Sequence, residues 1–285
     1  MIVVTGATGQ LGRLVIEQLL KRTAASQIIA AVRSPEKASD LAALGIQVRQ
    51  ADYSQPSTLD SAFAGADKVL LISSSELGQR TSQHRAVIEA ARRAQVKLLA
   101  YTSVLHADTS VLGLAQEHRE TEALLRESGV PSVILRNGWY HENYTAGIPA
   151  ALGLGSVYGC AGDGRISSAS RNDYAEAAAV VLTSSEQQAG RVYELAGDES
   201  YTLADFAAQL SKQSGKTLPY VNLPEADYQG ALEHAGLPQP IAALLADSDT
   251  GASKGALYDD SRQLSALIGR ATTPVSVSIA AAVAG

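Results

Sequence analysis

The sequence predicts an α/β fold, with helices on both faces of a doubly wound parallel sheet. Three observations predict it. The chain opens on a β-branched run, Ile2 to Thr5, followed by glycines at 6, 9 and 12 and then by Leu11, Leu14, Val15, Leu19 and Leu20 at helical spacing. Strand and helix patterns then alternate strictly as far as Asn137, which calls for parallel strands joined by right-handed crossovers. The predicted strands also end in small or polar residues: Thr5-Gly6, Arg33, Asp52, Ser73 to Ser75, Thr102-Ser103 and Asn137. Ligands of such sheets bind beyond those ends, where the strand order switches.

The first unit is a strand, a tight glycine turn and a helix. The N-terminus of that helix offers unpaired N–H groups and the positive end of its dipole, and a diphosphate is the natural occupant. Gly6 permits the turn, Gly9 lets backbone approach the phosphates and Gly12 lets helix pack on strand. The second strand covers Gln27 to Val32. Ser34 is the expected N-cap of the next helix, with Pro35 in its first turn. Ile46 to Gln50 is the third strand, followed by Asp52 and a helix from about Gln55. Lys68 to Ile72 is the fourth strand, and a helix covers about Gln83 to Ala94. Lys97 to Ser103 is the fifth strand, a helix covers about Leu114 to Arg126, and Ser132 to Arg136 is the sixth strand.

From Trp139 the pattern loosens, and Gly153, Gly155, Gly159, Gly162 and Gly164 crowd a segment of turns. Ser170 to Asp173 reads as a capping box that opens a helix through Val181. Arg191 to Leu195 reads as one more core strand. Thr202 to Gln213, Pro224 to Ala235 and Gln239 to Ala246 read as helices of a smaller lobe. The expected organisation is a nucleotide-binding Rossmann core over 1–137, completed by about 165–197. Residues 138–164 and 198–285 form the substrate lobe.

Composition narrows the function. The chain of 285 residues carries a net charge of −6 with no basic run, which argues against a nucleic-acid surface. Cys160 is the only cysteine, so neither a disulfide frame nor a thiolate metal site is expected, and a reducing, cytoplasmic compartment fits. Ile2 already begins a strand, so no leader is expected. The longest apolar tract, Ile279 to Ala284, is far too short to span a bilayer.

The second strand chooses the dinucleotide. An acid at its end would bind a ribose 2′-hydroxyl and repel a 2′-phosphate. The strand ends Ala31-Val32-Arg33 instead. Arg33 offers a planar fork suited to phosphate, and Lys37 follows in the next turn. Cations at a helix N-terminus need compensation, which a bound phosphate supplies. NADP(H) is the expected cofactor. Asp52 either accepts from an adenine amino group or caps the helix that follows it.

The run Thr5-Gly6-Ala7-Thr8-Gly9-Gln10-Leu11-Gly12, with Val32-Arg33-Ser34-Pro35, resembles the NmrA-like group of atypical short-chain dehydrogenases. Ile72 to Glu76, Tyr101 to Ser103, Leu105 to Ser110, Leu135 to Tyr140 and Ala246 to Asp249 are similar to a bacterial quinone-reducing branch of that group, in matching order over essentially the whole chain. A dye-reducing cousin shares the first half. The resemblance implies cofactor contacts from Gly6, Ala7, Thr8, Gly9, Gln10 and Leu11, from Arg33, from Ser73, Ser74 and Ser75, and from Asn137, Gly138, Trp139, Tyr140, His141 and Glu142. It also implies hydride transfer from NADPH to a small-molecule quinone. The side chains suit those roles: small serines admit the ribose and diphosphate, the Asn137 amide matches a carboxamide, and Trp139 and Tyr140 offer flat faces. A tight turn at Asn137-Gly138 and a core patch at Trp139-Tyr140 are the plain alternatives.

Most short-chain dehydrogenases carry a catalytic Tyr with Lys four residues on. No Tyr of this chain has Lys at that spacing, and the helix that should hold the pair runs Leu114-Ala115-Gln116-Glu117-His118. An alkoxide leaving without a proton is costly, whereas a reduced quinone spreads its charge and takes protons from water. Substrate positioning then does most of the catalysis. His106 and Tyr140 are the candidates for a catalytic side chain; His106, His118 and His141 are each able to take the acid's place by titrating near neutral pH, and a plain surface or loop histidine is the alternative for each. His118 and Glu122 share a helix face without a third ligand, so no metal site is expected. A redox sensor of the NmrA type, which binds NADP without turnover, and a reductase of dye-like acceptors are the other two readings.

Overall fold

The computed structural model describes residues 1–284. The chain divides into two compact units. Unit 1 comprises residues 1–107, 117–137 and 172–193, and unit 2 comprises 108–116, 138–171 and 194–285. In chain order the elements are β1 (Ile2–Thr5), α1 (Gln10–Leu20), β2 (Ile28–Val32), α2 (Ser39–Ala43), β3 (Gln47–Gln50), α3 (Pro56–Phe63), β4 (Lys68–Leu71), α4 (Arg80–Arg93), β5 (Leu98–Val104), α5 (Ala115–Ser128) and β6 (Ser132–Asn137). There follow α6 (His141–Thr145), α7 (Ile148–Leu154), β7 (Val157–Gly159), α8 (Arg171–Thr183), β8 (Val192–Leu195), α9 (Leu203–Ser214), β9 (Tyr220–Asn222), α10 (Glu225–His234), α11 (Gln239–Ser253), α12 (Gln263–Ile268) and α13 (Val275–Ala284).

Unit 1 carries a seven-stranded sheet in the order β3-β2-β1-β4-β5-β6-β8. Each neighbouring pair from β3 to β6 is parallel. β1, β2 and β5 are buried along their whole length, as strands covered on both faces must be. On one face Val3, Ile29, Val69, Leu71, Leu99 and Tyr101 pack against Leu59, Phe63, Val87 and Leu125. α1 buries Leu11, Val15, Ile16 and Leu19, at the spacing that predicts it. The order reverses between β1 and β4, which puts the switch point at the ends of those strands, Thr5-Gly6 and Ile72 to Ser75.

Unit 2 pairs β7 with β9 in parallel and surrounds them with helices. Thr202 and Asp205 close a capping box on α9, with each side chain bonded to the other's backbone N–H. No helix among the described residues is long and apolar enough to cross a membrane.

Several elements depart from expectation, each for a physical reason. Ser34 makes no side-chain cap. The chain after Pro35 instead closes a tight turn by a Lys37 N–H to Ser34 C=O bond of 3.1 Å, and α2 begins only at Ser39. α4 begins at Arg80, three residues before the expected Gln83, because the Glu117 carboxylate of α5 receives the Gly78 and Arg80 N–H groups at 3.0 and 3.2 Å. α11 runs to Ser253, well past the expected end at Ala246, because Ser248 and Asp249 are buried inside unit 2. β7 lies inside the segment of glycine turns and β9 between two expected helices, and at three residues each neither strand carries a pattern of its own.

Candidate active site

The glycine turn of unit 1 fits a phosphate by exclusion of side chains. Gly6 sits at φ +59°, a left-handed conformation that glycine adopts without strain. The Gly9 N–H closes the turn on the Gly6 carbonyl at 2.9 Å. A Cβ on Gly12 would stand 2.3 Å from that same oxygen and 2.8 Å from Ala7 Cα, so only glycine lets α1 lie this close to β1. A Cβ on Gly9 would meet the oxygen at 3.1 Å. Gly9 is the N-cap and no side chain caps α1, so its first turn presents bare backbone N–H groups of the kind that suit a phosphate.

Thr5 ties the ends of β1 and β4 together: its hydroxyl accepts from the Ile72 N–H at 3.1 Å and donates to the Leu70 carbonyl at 2.9 Å. The Ser73 to Ser75 stretch beyond β4 is held by side chains from elsewhere in the unit. Thr102 Oγ1 accepts the Ser73 N–H at 2.9 Å. His84 Nε2 accepts the Ser74 N–H at 2.9 Å, while its Nδ1 donates to Thr121 Oγ1 at 2.9 Å. Arg80 Nε donates to the Ser74 carbonyl at 2.6 Å. Burial, followed by the Arg80 charge, pulls His84 down to about 3, so it is a neutral positioning group. The sequence reading missed it because its partners lie 10 and 37 residues away.

Arg33 stands beyond β2 with its guanidinium exposed, and it donates to Glu76 Oε1 at 2.9 Å. Glu76 Oε2 accepts from Gln83 Nε2 at 2.7 Å. The charge expected to call for a phosphate is thus balanced by a carboxylate of the Ser73 to Glu76 loop. Asp52 is committed locally, receiving the Ser54 N–H at 2.9 Å and Gln55 Nε2 at 3.0 Å ahead of α3.

The polar side chains of β5 and α5 form closed sets. Ser103 Oγ donates to Glu122 Oε1 at 2.6 Å, and Arg136 grips both Glu122 oxygens through Nε and a terminal nitrogen at 3.0 and 2.8 Å. Tyr101 Oη and His118 Nδ1 share a hydrogen bond of 2.6 Å inside the core. Burial, with the Arg80 charge behind it, holds His118 well below its usual value. His118 and Glu122 are therefore engaged separately. His106 follows β5 in a left-handed conformation, φ +50°, and is half-buried.

The 137–142 stretch divides between roles. Asn137 ends β6, and its buried Oδ1 has no partner among the described residues, which leaves an acceptor for an amide N–H. This orphan and the bare glycine turn are what a nicotinamide dinucleotide requires of unit 1. In unit 2, Gly138 N–H bonds to the Leu195 carbonyl at 2.7 Å. The Tyr140 ring carries the Arg171 guanidinium at 4.8 Å from its centroid. The His141 ring meets Ser278 Oγ at 2.9 Å and the Ser168 carbonyl at 3.0 Å, and the His141 backbone N–H donates to the Ala169 carbonyl at 2.9 Å. Glu142 takes the Arg171 N–H at the start of α8 at 3.0 and 3.1 Å. His141 and Glu142 thus brace unit 2 with their side chains.

Trp139 lines a cavity of about 420 Å³ wholly within unit 2. Its walls come from α6, α7, α9, α10 and α11, with Ile148, Leu203, Phe206 and Leu245 giving apolar surface. Asp249 is the only side chain with a carboxyl in the lining. It accepts from Tyr144 Oη at 2.9 Å and from the Cys160 N–H at 3.1 Å. Burial pushes it up to about 6.

A family model described as NAD(P)H-binding matches residues 6–185, from the first glycine of the turn through α8. The chain belongs to this NAD(P)H-binding family. It is 60% identical over 279 residues to quinone oxidoreductase 2 of Escherichia coli K12, covering 98% of this chain and 97% of that protein. A crystal structure of the Escherichia coli NADPH-dependent quinone oxidoreductase with NADPH superposes with a TM-score of 0.96 at 59% identity, covering 99% of each chain. The triphenylmethane reductase of Citrobacter sp., solved with NADP(H), superposes at 0.95 with 40% identity, over 99% of this chain and 100% of that one. The likeness to the dye-reducing branch therefore runs through both halves, beyond the first half in which the sequence motifs showed it. The Rossmann-type parallel sheet and the kinship with quinone reductases, both read from the sequence, agree with these matches.

Proposed function

We propose that this protein is an NADPH-dependent oxidoreductase that reduces quinones. The observation that carries the reading is the closed polar set on β5 and α5 beside a bare dinucleotide turn. Where ordinary relatives keep a Tyr and Lys for proton transfer, Tyr101 is bonded to His118, and Ser103 and Arg136 to Glu122. The high identity to a protein named as a quinone oxidoreductase supports the same conclusion.

Bound NADPH supplies a hydride. The Gly6 to Leu11 turn and the first turn of α1 hold the diphosphate, Arg33 meets the 2′-phosphate in place of Glu76, and Ser73 to Ser75 flank the ribose. Asn137 Oδ1 accepts from the carboxamide. The unit 2 cavity, with Trp139 on its wall, takes the flat acceptor and keeps water from it. A quinone spreads the negative charge that arrives with the hydride over its ring and two oxygens, so the chain need not provide a strong acid. Positioning two reactants can contribute about 7–11 kcal/mol toward a barrier. The buried free thiol of Cys160 fits a reducing cytoplasm.

The test mixes purified protein with NADPH and a small benzoquinone and follows nicotinamide absorbance. Quinone-dependent oxidation above background is expected. Tight NADPH binding without turnover on any quinone would overturn the reading in favour of a dinucleotide-sensing regulator.

A further inference from the structure

The acceptor cavity contains a feature that quinone reduction does not use. Its lining is apolar, amide, hydroxyl or phenol except at Asp249. This carboxyl sits on α11 and is almost wholly buried. Two of its lone pairs are taken, by Tyr144 Oη and the Cys160 N–H, and no cation is paired with it among the described ion pairs. Gly159 keeps room for it, since a Cβ there would stand 2.8 Å from Asp249 Oδ2. Burying a carboxylate without a counter-charge is costly, and a neutral quinone provides none.

We propose that Asp249 is the charge selector of the acceptor cavity: as a carboxylate it is the counter-ion for flat aromatic cations, and as an acid it leaves a neutral cavity suited to quinones. The inference rests on the cavity being the acceptor site. It adds to the quinone and dye-like readings the residue that chooses between neutral and cationic acceptors, with the choice set by pH. A delocalised cation suits the rest of the molecule as well. One hydride forms one C–H bond to the electron-poor carbon and cancels the charge, so the acceptor gains two electrons and needs no proton.

Asp249 can act alone as the switch. The groups facing it are Tyr144 of α6, Cys160 after β7, Tyr201 before α9, Tyr220 of β9 and Tyr228 of α10. Burial raises the phenols of Tyr144, Tyr201, Tyr220 and Tyr228, Tyr220 to about 12, and raises the Cys160 thiol to about 11. None of these changes charge between pH 5 and 8. Glu225 on α10 is exposed, accepts from the Thr250 hydroxyl at 2.7 Å and bears on Cys160 by its charge, and it is not among the causes that shift Asp249. His234 on the same helix is exposed and turns Nδ1 to the Gly230 carbonyl. Asp247, two residues before Asp249, receives the Gly113 N–H at 2.8 Å and is not in the lining. Asp249 itself titrates at about 6.

Trp139 is the only tryptophan of the chain and lines the cavity, so its fluorescence reports occupancy. The experiment titrates the full-length chain with 10-methylacridinium, a permanent flat cation, and with menadione, a neutral quinone, from pH 5 to 7.5. The cation's affinity should rise about tenfold over that range, following the ionised fraction of one group with a midpoint near 6. Menadione should not share the rise. Asp249→Asn should abolish the pH dependence and lower the cation-to-menadione affinity ratio at pH 7.5 at least fivefold. Tyr144→Phe removes a donor to the carboxylate and should move the midpoint upward, which tests the assignment if the asparagine variant fails to fold. A ratio flat with pH in the unaltered protein, with menadione still quenching, would overturn the selector and leave the acceptor site standing. Failure of both probes to quench Trp139 would overturn the acceptor site and the selector together.

Discussion

At the scale of single residues, the proposed role of Arg33 sets it against Glu76, the carboxylate it now pairs with. A charge-assisted bond from Arg33 to a 2′-phosphate contributes on the order of 1.5–3 kcal/mol, roughly tenfold or more in affinity. Arg33→Ala should therefore weaken NADPH binding about tenfold or more and NADH binding little. Glu76→Gln should do the reverse, because the carboxylate now 2.9 Å from Arg33 stops competing with the phosphate. Dissociation constants for both cofactors check the pair, and equal losses for NADPH and NADH in the alanine variant would refute the role of Arg33. His84 supports a pH prediction. Its folded-state value is depressed to about 3 from 6.5, so the unfolded chain takes up its proton first. The stability it carries is complete above about pH 6.5 and is lost as pH falls toward 3. His118 adds to the same slope. In urea unfolding at several pH values, His84→Gln should flatten the loss between those limits, since Gln offers one acceptor and one donor group without titrating.

At the scale of elements, the turn between β1 and α1 sets the tolerance for change. Gly12→Ala drives a methyl into the Gly6 carbonyl and Ala7 Cα, both backbone, so helix and strand must part. Overpacking of this kind costs about 1–3 kcal/mol, and NADPH affinity should fall with it because the phosphate-facing turn opens. Gly9→Ala meets the same oxygen at 3.1 Å and should cost less in stability. Thermal unfolding with and without NADPH separates the two variants. This element was legible in sequence because its reasons are local: glycine spacing, β-branched residues and helical periodicity all fall within the first 20 residues. Where elements depend on distant partners, the sequence pattern fell short. The start of α4 rests on Glu117, 39 residues away from Gly78, and the Ser73 to Ser75 loop rests on His84 and Thr102. The end of α11 was misread because Asp247, Ser248 and Asp249 look like a solvated stop, yet Ser248 and Asp249 are buried and Asp249 is bonded to Tyr144 and Cys160. Polar residues signal a surface only until something buried needs them.

At the scale of the whole molecule, the proposed reaction and what unit 1 lacks together predict what the enzyme will refuse. Oxidising an alcohol requires a base to take the hydroxyl proton as the hydride leaves, and a positioned acid or base contributes roughly 10²–10⁴-fold to such a step. The groups of β5 and α5 that might supply one are engaged: Glu122 accepts from Ser103 and Arg136, and His118 is buried, neutral and bonded to Tyr101. Freeing Glu122 would strand the Arg136 charge in the core, which costs more than the pair gains. Steady-state assays with NADP⁺ and a simple secondary alcohol should therefore run at least about a hundredfold below NADPH with benzoquinone. Simple ketones should fare as poorly as the alcohols, because their reduced oxygen must be protonated at once. The ranking of acceptors should follow how well each disperses the electron pair it receives: quinones well above activated ketones, and activated ketones above aliphatic ones. A comparable rate on an aliphatic ketone would mean that some other group of the chain delivers a proton.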